Sequence, residues 1–465
     1  VRPAYTAPRS AADLNAALGA ILSRREDGHW GAMVVSLSRG DTLFAHEPDV
    51  PVMPASTMKM FTSVLAFDRL GPDWRFRTEV LRTGPLDADG TVRGDLVVRG
   101  DGDPSFSRRF WGGAEFGTGY DAPARALARR VAAAGVRHVT GALVADGSAF
   151  EARTIPDGWL ARYAGSGYAA PFGALSMNEN IVVVGVAGDG HVWLEPATTG
   201  IRVENAVRVT GGSGVNVRVY RAADGHVIAR GTVGRAAGAR LLQLTVADPA
   251  TFTAGAVEAA LAAEGVRVDG GLRSGTAPAD AAPVARLESP PLGELVAVMN
   301  RESINHFAEL IFRDAVRGPS RDSVGSAAGG NALLGRFLTD RVGARAGAVA
   351  VTDGSGLSVL DRVTARAMVQ LLGYAHRAPF SAAFHASLPV AGESALMEHR
   401  MVGTPAVGNL HAKTGTTDEV IALGGYVTAE EGEVLAFSFI FNGRDRWNAR
   451  ETIDAMGATM AGFGR

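Results

Sequence analysis

Two strongly apolar runs close the chain, Ile421 to Thr428 and Val434 to Asn442, joined by the polar stretch Ala429-Glu430-Glu431-Gly432-Glu433. Runs of that length parted by a short Gly-containing turn predict a β-hairpin. A second pair, Met33 to Leu37 and Thr42 to Ala45 around Ser38-Arg39-Gly40-Asp41, lies near the other end, behind an amphipathic helix at Ala11 to Arg24. Helical spacing falls between these pairs, from Leu292 to Arg301 and from Asn305 onward, and a closing helix is expected from about Trp447 to Met460. This order predicts an α/β domain whose sheet is completed by the two ends of the chain.

From Arg75 to Ala285 the texture changes to short strand-like runs parted by Gly and Asp turns, among them Asp95 to Arg99, Val139 to Val144, Asn180 to Val186 and Leu241 to Val246. The expected organisation is therefore one domain made of residues 1–74 and 286–465, interrupted by a β-rich insertion at 75–285. The insertion divides further if an inner domain occupies about 104–187. The proline-rich stretch Thr276 to Pro291 is the predicted linker.

Lys plus Arg is 46, yet only Lys59 and Lys413 are lysines, which leaves 46 − 2 = 44 arginines. Arginine replaces lysine on most surfaces, but its guanidinium never gives up a proton at working pH. A lysine kept in such a background marks a place where a compact, titratable amine is needed.

Both lysines fall in chemically suggestive surroundings. Ser56-Thr57-Met58-Lys59 opens a run, Ser56 to Leu70, that is apolar nearly all round and predicts a buried helix. Residues three apart share a helix face, so the Lys59 amine can reach the Ser56 hydroxyl and serve as the base that a weak serine nucleophile requires. Free N–H groups at the helix start suit a developing oxyanion. His411-Ala412-Lys413-Thr414-Gly415-Thr416 precedes the final hairpin, where an ammonium and two hydroxyls on a strand edge suit a substrate carboxylate. Ser303-Ile304-Asn305 lies between two helical stretches and offers a hydroxyl and an amide.

S-x-x-K, S-x-N and K-T-G in this order form the signature of penicillin-binding proteins and class A β-lactamases. The chain resembles the class C low-molecular-mass penicillin-binding proteins, the D-alanyl-D-alanine carboxypeptidase/endopeptidase family of penicillin-binding protein 4 type. Lys59 and Ser303 stand 303 − 59 = 244 residues apart, as in a family that carries its extra domains at that place. Gly102-Asp103-Pro104, Asp353-Gly354-Ser355-Gly356-Leu357-Ser358, Arg362-Val363-Thr364, Ser387-Leu388-Pro389 and Gly424-Gly425-Tyr426 extend the likeness. One departure is Ile304, where the commonest form has Asp.

The resemblance implies a serine β-lactamase/DD-peptidase-like transpeptidase fold, an antiparallel sheet flanked by helices. It implies that Ser56 becomes the acyl-enzyme, that Lys59 takes its proton, and that Ser303, with Asn305 and Lys413, returns a proton to the leaving D-alanine. Lys413, Thr414, Gly415 and Thr416 would bind the terminal carboxylate, and the backbone N–H groups of Ser56 and Thr416 would form the oxyanion hole. The implied substrates are peptidoglycan stem peptides ending in D-Ala-D-Ala, with β-lactams as covalent inhibitors and no metal or cofactor. Two other readings share this machinery. A class A β-lactamase uses a Glu four residues before an Asn, and no Asn here is so preceded. A non-catalytic penicillin-binding sensor or scaffold would have had no reason to keep both lysines.

The bulk properties agree. There is no cysteine, which excludes disulfide scaffolds, thiol catalysis and zinc–thiolate sites. The net charge of −2 offers no basic field to nucleic acid. No apolar run reaches the 18 residues of a membrane span, and H-E-x-x-H is absent. The chain starts Val1-Arg2-Pro3 with no initiator Met, which a removed signal peptide or a trimmed start would equally explain. The resemblance implies an extracytoplasmic enzyme, periplasmic, cell-wall associated or secreted, with its signal peptide already removed.

Overall fold

The structure is a computed structural model that describes residues 4–24, 28–394 and 396–465. It divides into two compact units, one of Val1–Trp74, Pro156–Leu160 and Pro291–Arg465, the other of Arg75–Ile155 and Ala161–Pro290.

The first unit is built on β1 (Gly28–Ser36), β2 (Thr42–His46), β3 (His411–Thr416), β4 (Val420–Thr428) and β5 (Val434–Gly443), which form one sheet in the order β3-β4-β5-β1-β2. Every neighbouring pair is antiparallel, and β1 zips to β5 from Gly28↔Gly443 to Ser36↔Leu435, so the two ends of the chain do complete one sheet. Its helices are α1 (Ala11–Leu22), α2 (Met58–Leu70), α3 (Leu292–Glu302), α4 (Asn305–Arg317), α5 (Ala327–Phe337), α6 (Ala365–Arg377), α7 (Ser381–Ser387) and α8 (Arg446–Ala461).

Alternation explains why the strands read as continuous apolar runs. Trp30, Ala32 and Val34 of β1 and Leu435, Phe437, Phe439 and Phe441 of β5 join a core with Leu14 and Leu18 of α1 and Ile453, Met456 and Met460 of α8. The alternate positions face the other way, where Gly31 lies against Ala365 of α6 and Gly424 against Met60 of α2 and Met368 of α6. A sheet covered on both faces needs apolar residues at odd and even positions alike. Each fully buried aromatic or aliphatic side chain contributes about 1.5–3 kcal/mol. α2 sits in this interior, with Met58 through Phe67 all buried, and stops at Gly71, whose φ of +83° is glycine's to adopt.

The second unit centres on a five-stranded sheet in the order Leu272–Ser274, Leu143–Asp146, Leu96–Gly100, Arg77–Arg82, Ala282–Glu288. Helices Ala122–Ala133 and Pro249–Ala263 share its core, through Leu127, Val131, Phe252, Val257 and Leu261. Three small sheets add strands, among them Ile181–Val186 between Arg240–Thr245 and Val192–Glu195.

Two local expectations are corrected here. The proline-rich stretch at 276–291 is no free linker, because Ala282–Glu288 pairs with Arg77–Arg82 as an edge strand. Edge strands are where a proline such as Pro283 is tolerated, and the register shifts between Pro283 and Ala285. The run Val139 to Val144 is not one strand: His138–Val139 and Leu143–Asp146 belong to different sheets. Gly141 separates them at a close backbone approach, where a Cβ would stand 2.2 Å from Asp95 Oδ1 and 2.7 Å from the Gly94 carbonyl.

Candidate active site

Ser56 lies in a single 3-10 turn, Ala55–Thr57, that leads straight into α2. Ala55 just before it has φ +45°, a left-handed conformation that a residue with a Cβ adopts only when the surroundings impose it. The Thr57 hydroxyl donates to the Pro54 carbonyl at 2.7 Å and pins the turn.

One helical turn on, Lys59 is 0 % exposed, and its Nζ lies 3.0 Å from Ser56 Oγ, 2.6 Å from Asn305 Oδ1 and 2.8 Å from the Ser355 carbonyl oxygen. Two of these three partners can only accept hydrogen bonds. A neutral amine that gives its two N–H bonds to Asn305 and Ser355 must turn its lone pair toward Ser56 Oγ. Burial pushes the Lys59 amine down from 10.5 to about 7, against the opposing pull of Asp353 and Glu309. A free amine is therefore present at neutral pH.

The S-x-N residues arrive on the tight link between two helices. Ser303 ends α3 with φ +59°, Ile304 caps α4, and Asn305 is its first residue. The reversal turns Asn305 to Lys59 and Ser303 to the other lysine, whose Nζ stands 2.9 Å from Ser303 Oγ. Ile304 is the intervening cap residue and has no side-chain bond to give there.

Lys413 comes from β3, one of the two edge strands of the sheet. It is also 0 % exposed and donates to the Thr414 carbonyl at 2.9 Å. Burial, and then the nearby charge of Lys59, holds its amine well below the usual lysine range. Read from the sequence, Lys413 was foremost a charged anchor; in the fold it is also a buried amine in contact with Ser303. Gly415 runs so close to the nucleophile's turn that a Cβ would come within 2.8 Å of the Pro54 carbonyl oxygen. Thr414 is half-buried and Thr416 exposed at the end of the strand.

Ser56, Lys59 and Asn305 thus form one hydrogen-bonded group and Ser303 with Lys413 a second, the charge of Lys59 being felt at Lys413. Gly415 is seated against the nucleophile's turn, with Thr414 and Thr416 on either side of that glycine. Asn300 of α3 stiffens it from behind, donating to Ser63 Oγ at 3.1 Å and Ser387 Oγ at 2.9 Å while Ser63 donates to the Lys59 carbonyl at 2.7 Å. Sequence reasoning did not foresee the Ser355 carbonyl. The Asp353-Gly354-Ser355-Gly356 run extends the family likeness in the sequence, but a backbone acceptor leaves no mark in residue identity.

The profile of the D-Ala-D-Ala carboxypeptidase 3 (S13) family matches residues 14–462. A D-alanyl-D-alanine carboxypeptidase of Actinomadura sp. (strain R39) is 33 % identical over 455 residues, covering 93 % of this chain and 81 % of that protein. The D-alanyl-D-alanine carboxypeptidase DacB of Haemophilus influenzae is 24 % identical over 432 residues, covering 90 % of this chain and 86 % of that one. The fold is that of the crystal structure of penicillin binding protein 4 (dacB) from Haemophilus influenzae, with a TM-score of 0.77 at 22 % identity over 94 % of this chain and 97 % of that one. The chain belongs to the D-Ala-D-Ala carboxypeptidase 3 (S13) family of serine-type hydrolases.

Proposed function

We propose that the protein removes the terminal D-alanine from peptidoglycan stem peptides through an acyl-enzyme on Ser56. The observation that carries this reading is the pair of hydrogen-bonded groups Ser56–Lys59–Asn305 and Ser303–Lys413, in which half-buried serines meet fully buried lysines beside an edge strand. An edge strand leaves backbone groups free to pair with an extended peptide.

As the substrate lies along β3, Ser56 Oγ attacks the carbonyl carbon between the two D-alanines and its proton passes to the Lys59 lone pair. Negative charge gathers on the carbonyl oxygen, for which the N–H groups of Ser56 and Thr416 are the proposed donors. The C–N bond then breaks. The leaving nitrogen takes a proton from Ser303 Oγ, which Lys413 replenishes across 2.9 Å. The terminal carboxylate, held by Lys413 with Thr414 and Thr416, offsets the mutual repulsion of the two lysines and favours a protonated Lys413 at the moment a proton is needed. Once D-alanine has left, Lys59 releases the Ser56 proton and Lys413 regains one by exchange with solvent, which restores the Lys59 lone pair. Water then attacks the ester carbonyl and gives its proton to Lys59, which returns it to Ser56 Oγ as the C–O bond breaks. A penicillin follows the same first step, but its leaving group stays tethered.

Such a substrate lies outside the cytoplasm, and action there on the cell wall is the proposed setting. Among the described residues no helix is long and apolar enough to cross a membrane.

The test pairs two assays: a fluorescent penicillin followed over hours, and D-alanine release from a diacylated D-Ala-D-Ala peptide. A stable adduct with steady D-alanine release is expected. No adduct sinks the reading, an adduct lost within seconds identifies a β-lactamase, and an adduct without peptide turnover identifies a sensor.

A further inference from the structure

The partner of Lys59 that the sequence did not reveal is a main-chain carbonyl, and a carbonyl is only as well placed as the loop that carries it. The loop carrying Ser355 is wound around a single buried carboxylate. Asp353 is 0 % exposed. Its Oδ1 accepts the N–H groups of Ser355 at 3.0 Å and Gly356 at 2.6 Å. Its Oδ2 accepts Ser358 N–H at 2.8 Å, the Ser355 hydroxyl at 3.2 Å and the Trp159 indole N–H at 2.8 Å. Trp159 belongs to Pro156–Leu160, the short segment that joins this unit from the middle of the chain. The Ser358 hydroxyl fastens that segment again by donating to the Asp157 carbonyl at 2.7 Å.

The loop is also wedged in place. At Gly356, φ is +80° and a Cβ would stand 1.9 Å from the carbonyl oxygen of Ala55, the residue before the nucleophile. At Gly354 a Cβ would meet Phe312 Cβ at 2.5 Å, while Glu309 Oε1 accepts the Gly354 N–H at 3.1 Å and Thr62 donates to its carbonyl at 2.6 Å.

Behind Asp353 stands a second buried carboxyl. Asp361 Oδ1 accepts the Thr352 N–H at 2.8 Å; its Oδ2 meets no N–H or O–H donor and faces Asp353. Two buried carboxyls in contact need a proton between them. Burial, then the neighbouring Asp353, raises the Asp361 carboxyl well above its usual range. Asp361 is thus the carboxyl of the two that burial and its neighbour drive toward the protonated form. The third carboxyl, Glu309, is paired with Arg313 at 2.8 Å, both 0 % exposed.

We infer that Asp353 is a positioning residue for the general base: by gathering the Asp353–Ser358 loop, with Asp361 packed behind it and Trp159 as a strut, it fixes the Ser355 carbonyl that aims the Lys59 lone pair at Ser56. This rests on the reading of Ser56 as nucleophile and Lys59 as base. Asp353 touches neither the substrate nor Ser56. The charged groups bearing on Lys59 are Asp353, Glu309 and Lys413, so removing the Asp353 anion also removes a charge that favours the ammonium.

The experiment measures the rate of acylation by saturating penicillin, the dissociation constant of the pre-covalent complex and the pH dependence of the rate. The variants are Asp353→Asn, Asp361→Asn and Trp159→Phe. Asp353→Asn places an amide N–H₂ where donors converge; the rate should drop about 10–100-fold with binding unchanged, and the midpoint of its rise with pH should move down. Asp361→Asn keeps one acceptor and one donor in place, so rate and midpoint should stay within about 3-fold of wild type. Trp159→Phe keeps an aromatic ring, though a smaller one, and loses one hydrogen bond, and should lower the rate about 3–10-fold with binding unchanged. The inference is overturned if folded Asp353→Asn has the wild-type rate and midpoint, or if Asp361→Asn falls as far as Asp353→Asn. Should Asp353→Asn not fold, a wild-type rate for Trp159→Phe overturns it. Wild-type enzyme that forms no adduct sinks the parent reading instead, so the two failures are distinguishable.

Discussion

Lowering the pH should switch acylation off over a range in which an ordinary lysine would show no change. The Lys59 amine titrates at about 7 instead of 10.5, because burial at 0 % exposure disfavours the ammonium more than Asp353 and Glu309 favour it. Only the free amine can take the Ser56 proton, so the rate follows the deprotonated fraction. With a midpoint near 7, that fraction is roughly 3 % at pH 5.5, half at pH 7 and about 90 % at pH 8, a climb of roughly thirtyfold ending in a plateau. A lysine left at 10.5 would instead give a free-amine fraction near 0.03 % at pH 7 and a tenfold rise per unit up to about pH 10. Lys413 and Lys59 feel one another's charge, so the observed midpoint belongs to the pair. The assay is single-turnover acylation by a saturating fluorescent penicillin, in mixed buffer at constant ionic strength, from pH 5.5 to 9.5. A penicillin carboxylate is ionised throughout, so the reagent adds no titration of its own there. A flat profile, or a rise that is still tenfold per unit above pH 8.5, would refute Lys59 as the proton acceptor.

Three substitutions probe the same construction. Lys59→Arg should lower acylation at least about 10⁴-fold with cooperative unfolding retained, since a guanidinium cannot accept the proton; gel fluorescence and thermal melting read both. Lys413→Arg keeps a cation but puts a larger group where Nζ now sits 2.9 Å from Ser303 Oγ. Acylation should fall about 10²-fold, and an unchanged rate would remove Lys413 from proton delivery. Gly356→Ala should cost about 2–4 kcal/mol in urea unfolding and slow acylation as well, because its Cβ would meet the Ala55 carbonyl oxygen at 1.9 Å in a left-handed backbone.

The sheet was legible because its strands are long and covered on both faces, so β4 and β5 read as unbroken apolar runs. α2 was legible for the same reason, although the turn that carries Ser56 is 3-10 and begins with a left-handed Ala55 that no propensity announces. The lysines stood out through the scarcity of their kind, and motif order then put each beside a serine. What local pattern could not carry was long-range closure. Pro283 reads as a linker until a partner strand makes it an edge residue. Glu309 sits on α4 among Phe307, Leu310 and Ile311, where a lone charge looks like a solvent face, yet it is 0 % exposed and bonded to a loop 45 residues away. Trp159 reads as one more residue of the chain's β-rich middle, and only the folded chain brings its indole to Asp353.

The claim on which the rest depends is that Ser56 is the nucleophile. Peptide mapping by mass spectrometry after brief exposure to penicillin tests it most directly. One adduct, on the peptide carrying Ser56 and absent from Ser56→Ala, is the expected result; an adduct on any other residue, or one that persists in Ser56→Ala, would contradict the account.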